Sequence, residues 1–311
     1  MKTLLDVVKD CDNFPYPEDT DQNTLWKFYL PNDPRPHGLL TDAVVAQMPW
    51  TTDFQILPEA KQIRLLQPPT ENWEERCSAL IEQQVEAARS ANAFPDLGLR
   101  RGEEFPIVGA RFAVGIDRAA FSLFGTIGRG VHLTAYTGSG AEMRIWVPRR
   151  NYNKAKYPGM LDNSVAGGMA SGERPLECLV REAQEEAGLS EEMIRAGARA
   201  AGTVTWITVS DERAGGHLGL INPGVLYVYD LEVSPEMVFT PVDGELCEFR
   251  LRRVEEVKKA LLAGEFKPAS ANVMIDFFVR HGLITAEDEE DYEDIVARLH
   301  RKLPLPTSAR S

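Results

Sequence analysis

The sequence predicts an α/β (α+β) fold: a sandwich built on a mixed sheet, preceded by a smaller α+β region. Three observations lead there. Strand-like and helix-like runs alternate without regular βαβ units, which points to a mixed sheet with helices packed on it. Proline-rich joints, "PNDPRPHG" and "QPPT", cut the first part into short pieces. Near Gly130 the texture changes, with strand-like runs set around a hairpin signal.

The elements follow in order. "LWKFYL" and "FQIL" read as strands. "TENWEERCSALIEQQVEAARSANAF" reads as a long helix with Thr70 as N-cap and Ala79, Leu80, Val85 and Ala87 on its apolar face. "VHLTAYTGSGAEMRIWVPRR" is two strand-like runs around "GSG", a hairpin signal. An irregular stretch from Asn151 leads into a helix from about Arg174 to Ala187. Pro175 stands where a first-turn proline is tolerated, and Gly188 where a left-handed cap is wanted. "GTVTWITVS", "GVLYVYDLEV" and "ELCEFRL" are further strands; "VEEVKKALLAG" and two later stretches, to about Lys302, are helices. The expected division is 1–125, an N-terminal α+β region; 126–285, the sandwich; and 286–311, a C-terminal helix and tail.

Bulk properties exclude several classes. A net charge of −13 over 311 residues opposes binding to nucleic acid or an anionic membrane. No stretch approaches the roughly 18 apolar residues of a membrane span, and "MKTLLDVVKDCDNF" resembles no signal or transit peptide. The four cysteines, Cys11, Cys77, Cys178 and Cys247, are widely spaced, so neither a zinc site nor a disulfide framework is indicated. A cytoplasmic location is the expectation.

One helix carries charges that folding does not ask for. Leu176, Leu179, Val180, Ala183 and Ala187 form its apolar stripe, while Glu182, Glu185 and Glu186 crowd one turn of a neighbouring face. Like charges at three and four residues apart cost a few tenths of a kcal/mol per pair. They also raise one another's pKa unless a cation compensates, and magnesium, a hard ion, prefers oxygen ligands.

These glutamates stand in "GGMASGERPLECLVREAQEEAGL": Gly167, five residues, Glu173, seven residues, then "REAQEEAGL". This 23-residue segment resembles a Nudix box at every fixed position. The resemblance implies an α/β/α sandwich whose box forms loop–helix–loop, and hydrolysis of a diphosphate joined to another moiety, dependent on Mg2+ (or Mn2+). Glu182, Glu185 and Glu186 would then hold the ions, with the Gly167 carbonyl as a further ligand and Glu173–Arg181 as a structural pair pinning loop to helix. Gly168 and Gly172 would allow tight turns. The general base would be a box glutamate or one on a later loop; "DGELCEF" offers Glu245 and Glu248, with Glu245 preferred as base or extra ligand.

The flanks narrow the resemblance. "LFGTIGRGVHLTAYT", "WVPRRNYNKAKYPGMLDNSVAGGMASGE" and "FKPASANVMIDFFVRHGLI" resemble the Nudix subfamily related to the Nudix part of fungal thiamine pyrophosphokinase, which carries an extra N-terminal region. That implies thiamine diphosphate and its oxo and oxy analogues as substrates, cleaved to monophosphates, as metabolite repair. ADP-ribose or nucleotide-sugar hydrolysis and a non-catalytic metabolite sensor are the alternatives. Arg149, Arg150, Lys154 and Lys156 put positive charge ahead of the box for phosphate oxygens. Trp146, Tyr152 and Tyr157 could stack on a ring, Asp162 and Asn163 could touch substrate from the loop, and His132 and His217 are weaker candidates. Cys178, inside the helix, is rejected as a nucleophile. The expected partner is a small-molecule diphosphate, and a homodimer is compatible with the sequence.

Overall fold

Thr3 and Asp6 cap the first helix reciprocally, each side chain accepting from the other's backbone N–H, and start α1 (Leu4–Cys11). The chain is described here by a computed structural model covering residues 2–16, 24–98, 102–214 and 216–310. Short apolar runs then give β1 (Trp26–Tyr29), β2 (Pro36–Leu40), α2 (Asp42–Gln47), β3 (Phe54–Leu57) and β4 (Gln62–Leu65). The strands form one sheet in the order β2-β1-β4-β3, with only the β1–β4 pair parallel.

The long helix α3 (Trp73–Ser90) starts later than the sequence suggested. Asn72, not Thr70, is its N-cap, and no side chain caps it. Its buried face is Cys77, Leu80, Ile81, Gln84, Val85 and Ala88, at helical spacing; Ala79 is exposed and Ala87 half-buried, off that face. A two-stranded ribbon, β5 (Glu104–Pro106) with β6 (Gly115–Asp117), closes this part.

The second sheet is built from β7 (Gly128–Thr137), β8 (Arg144–Arg150), β9 (Val165–Gly168), β10 (Arg199–Val209), β11 (Ile221–Glu232) and β12 (Leu246–Arg253). Its order is β10-β11-β7-β8-β12; β7 runs parallel to β11 and antiparallel to β8. Strand β7 holds β8 only at Tyr136 and Thr137, and β9 takes the same edge at Gly130–Leu133. Where β8 splays away, the buried Ser164 hydroxyl accepts from Ala135 N at 2.8 Å and donates to Trp146 O at 2.6 Å. A side chain thus replaces the missing ladder bonds, as buried backbone groups require.

Helices cover both faces. On one side α4 (Pro175–Ala187) and α5 (Glu191–Gly197) pack on Val131, Leu133, Ala135, Tyr229 and Leu231. On the other, α6 (Val254–Leu262), α7 (Pro268–Arg280) and α8 (Tyr292–Leu299) join α1 over Ile145, Val147, Val204, Leu226 and Val228. Alternate residues of β11 face opposite layers, the period-two signature of a strand covered on both sides.

The core is continuous across the expected boundaries near 125 and 285. Leu39 and Val108 pack with Ile207, Ile221, Val225 and Leu303. Arg301, buried, donates to Asp12 Oδ1 at 2.9 Å and to Phe14 O at 2.6 Å, and its guanidinium lies 3.9 Å from the Tyr16 ring centroid. The C-terminal stretch is therefore clamped to the end of α1. Among the described residues no helix is long and apolar enough to cross a membrane.

Candidate active site

The helix α4 begins after Arg174 with Pro175 in its first turn and ends at Gly188, whose φ of 65° no β-carbon favours. Leu179, Val180, Ala183 and Ala187 are buried as the stripe predicts, while Leu176 is only half-buried. Cys178 is buried against the Gly168 carbonyl at 3.4 Å, and burial pushes its thiol up, which removes it as a nucleophile.

Arg181 does more than pin the loop. Its Nε and Nη2 donate to Glu173 at 2.9 and 3.1 Å, and Nη2 also reaches the Gly168 carbonyl at 3.3 Å. Its Nη1 lies between Glu182 Oε1 at 2.7 Å and Glu185 Oε2 at 3.1 Å. Glu173 in turn accepts from Ala170 N at 3.1 Å. One guanidinium thus ties the loop glutamate to two of the three helix glutamates, which explains how like charges share one turn.

The three glutamates have different surroundings. Glu185 is exposed. Glu182 is largely covered, and its carboxyl lies against Gly167: a β-carbon there would stand 2.0 Å from its Cδ. Burial pushes Glu182 above the usual carboxylate range against the opposing pull of Arg181. Glu186 is buried, with Oε2 accepting from Ala166 N at 2.9 Å. Burial pushes it well above the usual range; the Ala166 amide opposes this, while the charges of Asp162, Glu182 and Glu245 add to it.

These donors suit a hard divalent cation. They are oxygens, and a positive ion beside them would reverse both upward shifts. Among the described residues no three carboxylate, imidazole or thiol groups already converge on one point; Glu182 and Glu185 are drawn to Arg181 instead. Gly167 serves the site by close approach to Glu182. Of the two turn glycines, Gly172 has φ 81°, whereas Gly168 lies outside the left-handed region and is needed because the Phe105 ring comes within 2.8 Å of where its β-carbon would be.

Glu245 comes from the loop before β12, exposed, with Lys154 Nζ at 2.7 Å. Although burial works against it, Lys154 holds its carboxyl below the usual range, and its charge is felt at Glu186. Glu248 lies elsewhere on β12, taken up by Arg149 at 3.1 Å and Arg250 at 2.8 Å.

Several residues expected at the substrate are interior. Arg149 donates to the Gly159 carbonyl at 2.7 Å as well as to Glu248, which places it in the loop's framework. Arg150, Asp162 and Asn163 are buried and engaged with other groups of the chain. Arg150 donates to Asp162 at 2.9 Å and to the carbonyls of Lys156 and Tyr157; Asp162 also takes the Ser270 hydroxyl and has Lys267 at 3.7 Å. Burial opposes ionisation of Asp162, but Lys267 and Arg150 hold it well below its usual range. The His132 N–H donates to Asn163 Oδ1 at 2.6 Å, and burial lowers His132 to about 4. This network behind Glu186 fixes the loop that enters the box. Trp146 is also core, stacked on Phe239 at 5.0 Å, and Tyr152 packs over Gly159 at the surface.

Three other expected residues do meet. Lys156, Tyr157 and His217 line one cavity of about 200 Å3 with Trp206, Lys267 and Phe121. Two charged neighbours were not legible in the sequence: Lys267, which the helix start of α7 delivers to Asp162, and Arg118, which lies over the Phe105 ring beside Gly168. No spacing relates either to the glutamates.

The sequence is similar to those of known proteins. Residues 128–277 match the family model described as NUDIX domain, and this segment is a Nudix domain. An uncharacterized protein of Saccharomyces cerevisiae is 36% identical over 67% of this chain and 63% of its own length. Two Arabidopsis thaliana proteins are similar: the chloroplastic Nudix hydrolase 24, 36% identical over 59% of this chain and 48% of that one, and the chloroplastic Nudix hydrolase 20, 34% over 65% and 53%. The chain spans about half to under two thirds of the length of these relatives.

Proposed function

We propose that this chain, whose residues 128–277 form a Nudix domain, hydrolyses the diphosphate of a small molecule with Mg2+ or Mn2+. The observation that carries the reading is the pairing of Glu182, pressed against Gly167, with buried Glu186, both on one helix locked by Glu173–Arg181. Glu182, Glu185 and Glu186 would hold the cation, which when bound neutralises phosphate charge and makes water a better nucleophile.

The chain's own residues supply the rest. Water oxygen bonds to one phosphorus, the bridging P–O bond breaks, and the two products leave as monophosphate and phosphate. Glu245, kept ionised beside Lys154, is the group suited to take the water's proton. Arg181 holds Glu182 and Glu185 in one turn. The Arg150–Asp162–Lys267 network fixes the loop before β9, so that the Ala166 amide stays on Glu186.

The substrate we infer is thiamine diphosphate and, above all, its oxo and oxy analogues, in a repair role. Two things support this. The flanking segments resemble the thiamine pyrophosphokinase-related subfamily. The cavity beside Lys267 carries the aromatic walls Trp206, Tyr157 and Phe121, suited to a small heteroaromatic ring. Its lysines disfavour a cationic thiazolium and tolerate an uncharged, oxidised ring.

The test is phosphate release with Mg2+ from thiamine diphosphate, its oxo and oxy analogues, ADP-ribose and a nucleotide sugar. Glu182→Gln and Glu185→Gln serve as controls. Highest kcat/KM on the thiamine analogues, lost in Glu182→Gln, supports the reading. Preference for ADP-ribose keeps the chemistry and discards the substrate. Tight binding of one compound without turnover makes the protein a sensor.

A further inference from the structure

The first part of the chain is docked on the box itself. Ser171 N, in the box loop, donates to Glu104 O at 2.9 Å, so β5 runs along that loop. The next residue, Phe105, packs its ring against Gly168 so closely that no β-carbon fits there. Above that ring, 5.4 Å from its centroid, lies the Arg118 guanidinium. Arg118 N also donates to Glu103 O at 2.9 Å, and its Nη1 donates to Glu103 Oε2 at 2.6 Å.

Arg118 therefore stands over the strand that carries Gly167 and Gly168, and Glu182 lies against Gly167. Its side chain is 41% exposed, so part of the guanidinium remains available to a solute.

We propose that Arg118, supplied from outside the Nudix domain, binds the diphosphate of the substrate over the box, exchanging part of its contact with Glu103 for phosphate oxygens. This rests on the hydrolase reading above and gives the N-terminal region its purpose: it completes the anion site. A planar guanidinium offers phosphate two parallel donors, and Phe105 beneath it restricts the side chain to that approach.

The experiment uses the full chain as wild type, Arg118→Ala, Arg118→Lys and Glu103→Gln. Two readouts are taken: KM and kcat on the best diphosphate substrate, and the Kd for methylenediphosphonate with Mg2+ by calorimetry, which needs no turnover. Loss of a charged hydrogen bond predicts KM and Kd about 10- to 100-fold higher in Arg118→Ala, with kcat changed far less. Arg118→Lys recovers part of the affinity, and Glu103→Gln binds at least as tightly as wild type because the competing carboxylate is gone. A Kd for Arg118→Ala within twofold of wild type overturns the proposal. So does equal weakening in Glu103→Gln, which would make the pair a structural clamp, and so does a wild type that binds no methylenediphosphonate. If Arg118→Ala does not fold, the Lys and Gln variants decide. A wild type that binds through Arg118 yet cleaves no diphosphate sinks the hydrolase reading and leaves the anion site standing.

Discussion

Replacing Gly167 with alanine tests whether Glu182 owes its place to a missing β-carbon. The new atom would stand 2.0 Å from Glu182 Cδ, 2.1 Å from Cγ and 2.3 Å from Oε1. Ordinary contact begins near 3.4 Å, so the carboxyl must retreat by 3.4 − 2.0 = 1.4 Å. Its retreat is constrained by Arg181, whose Nη1 holds Oε1 at 2.7 Å. A misplacement of about 1 Å can cost a catalytic group on the order of 100-fold. The expected result is therefore kcat/KM down about 100-fold and divalent-cation affinity, read by calorimetry, clearly weakened. The backbone of Gly167 lies outside the left-handed region, so stability should fall by no more than the roughly 1–3 kcal/mol of local overpacking. Gly172→Ala is the contrast. Its φ of 81° makes the substitution strained, yet nothing lies within 4 Å, so it should cost about 1 kcal/mol of stability and leave kcat/KM within a few-fold. Wild-type kinetics in Gly167→Ala, or equal kinetic damage from Gly172→Ala, would refute the reasoning.

Other consequences concern the frame around the site. His132 takes its proton near pH 4 in the fold against 6.5 ordinarily, because burial penalises its charge; between those values the unfolded chain binds the proton and the folded one does not. Stability should thus fall as pH drops from 6.5 towards 4, by up to about 3 kcal/mol (6.5 − 4 = 2.5 units), and His132→Gln should flatten that part of a urea-denaturation series; an unchanged slope in the variant counts against it. Arg301→Ala takes from buried Asp12 its 2.9 Å partner but leaves it Arg298 at 3.3 Å, the Tyr16 hydroxyl and the Ile207 amide, so it should destabilise by about 1–3 kcal/mol, with a double-mutant cycle against Asp12→Ala showing coupling; additive effects would mean the clamp is not one unit. Gly125→Ala puts a β-carbon 1.8 Å from Leu39 O at φ 60°, where backbone cannot yield cheaply, so a loss of about 3 kcal/mol or more is expected; a melting temperature within 2 °C of wild type would be the contrary result (about 1.3 kcal/mol or less for 311 residues).

Sequence alone determined what depends on local spacing. The helix from Pro175 to Ala187 was legible because proline, apolar stripe and Gly188 agree within one short segment. The crowding of Glu182, Glu185 and Glu186 follows from helical periodicity, while the pairing of Glu173 with Arg181 was what the family resemblance implied. The two strands from Gly128 to Arg150 were readable as strand-like runs around the turn signal "GSG", and β7 and β8 are buried on both faces rather than in alternation.

What the tertiary structure decided is which charges are spent and which are available. Arg149, Arg150, Lys154 and Lys156 look alike in sequence, but burial commits Arg150 to Asp162, while Lys156 lines a cavity and Lys154 meets Glu245. Asp162 and Asn163 are polar loop residues by sequence, yet the fold closes over them and turns them into supports. Arg118 and Lys267 reach the site from outside the box because long-range packing brings them there: Phe105 against Gly168, and the start of α7 against the loop ending at Asp162. A local pattern fixes the neighbours along a helix. It carries no information about which distant side chain desolvates a carboxylate or faces it.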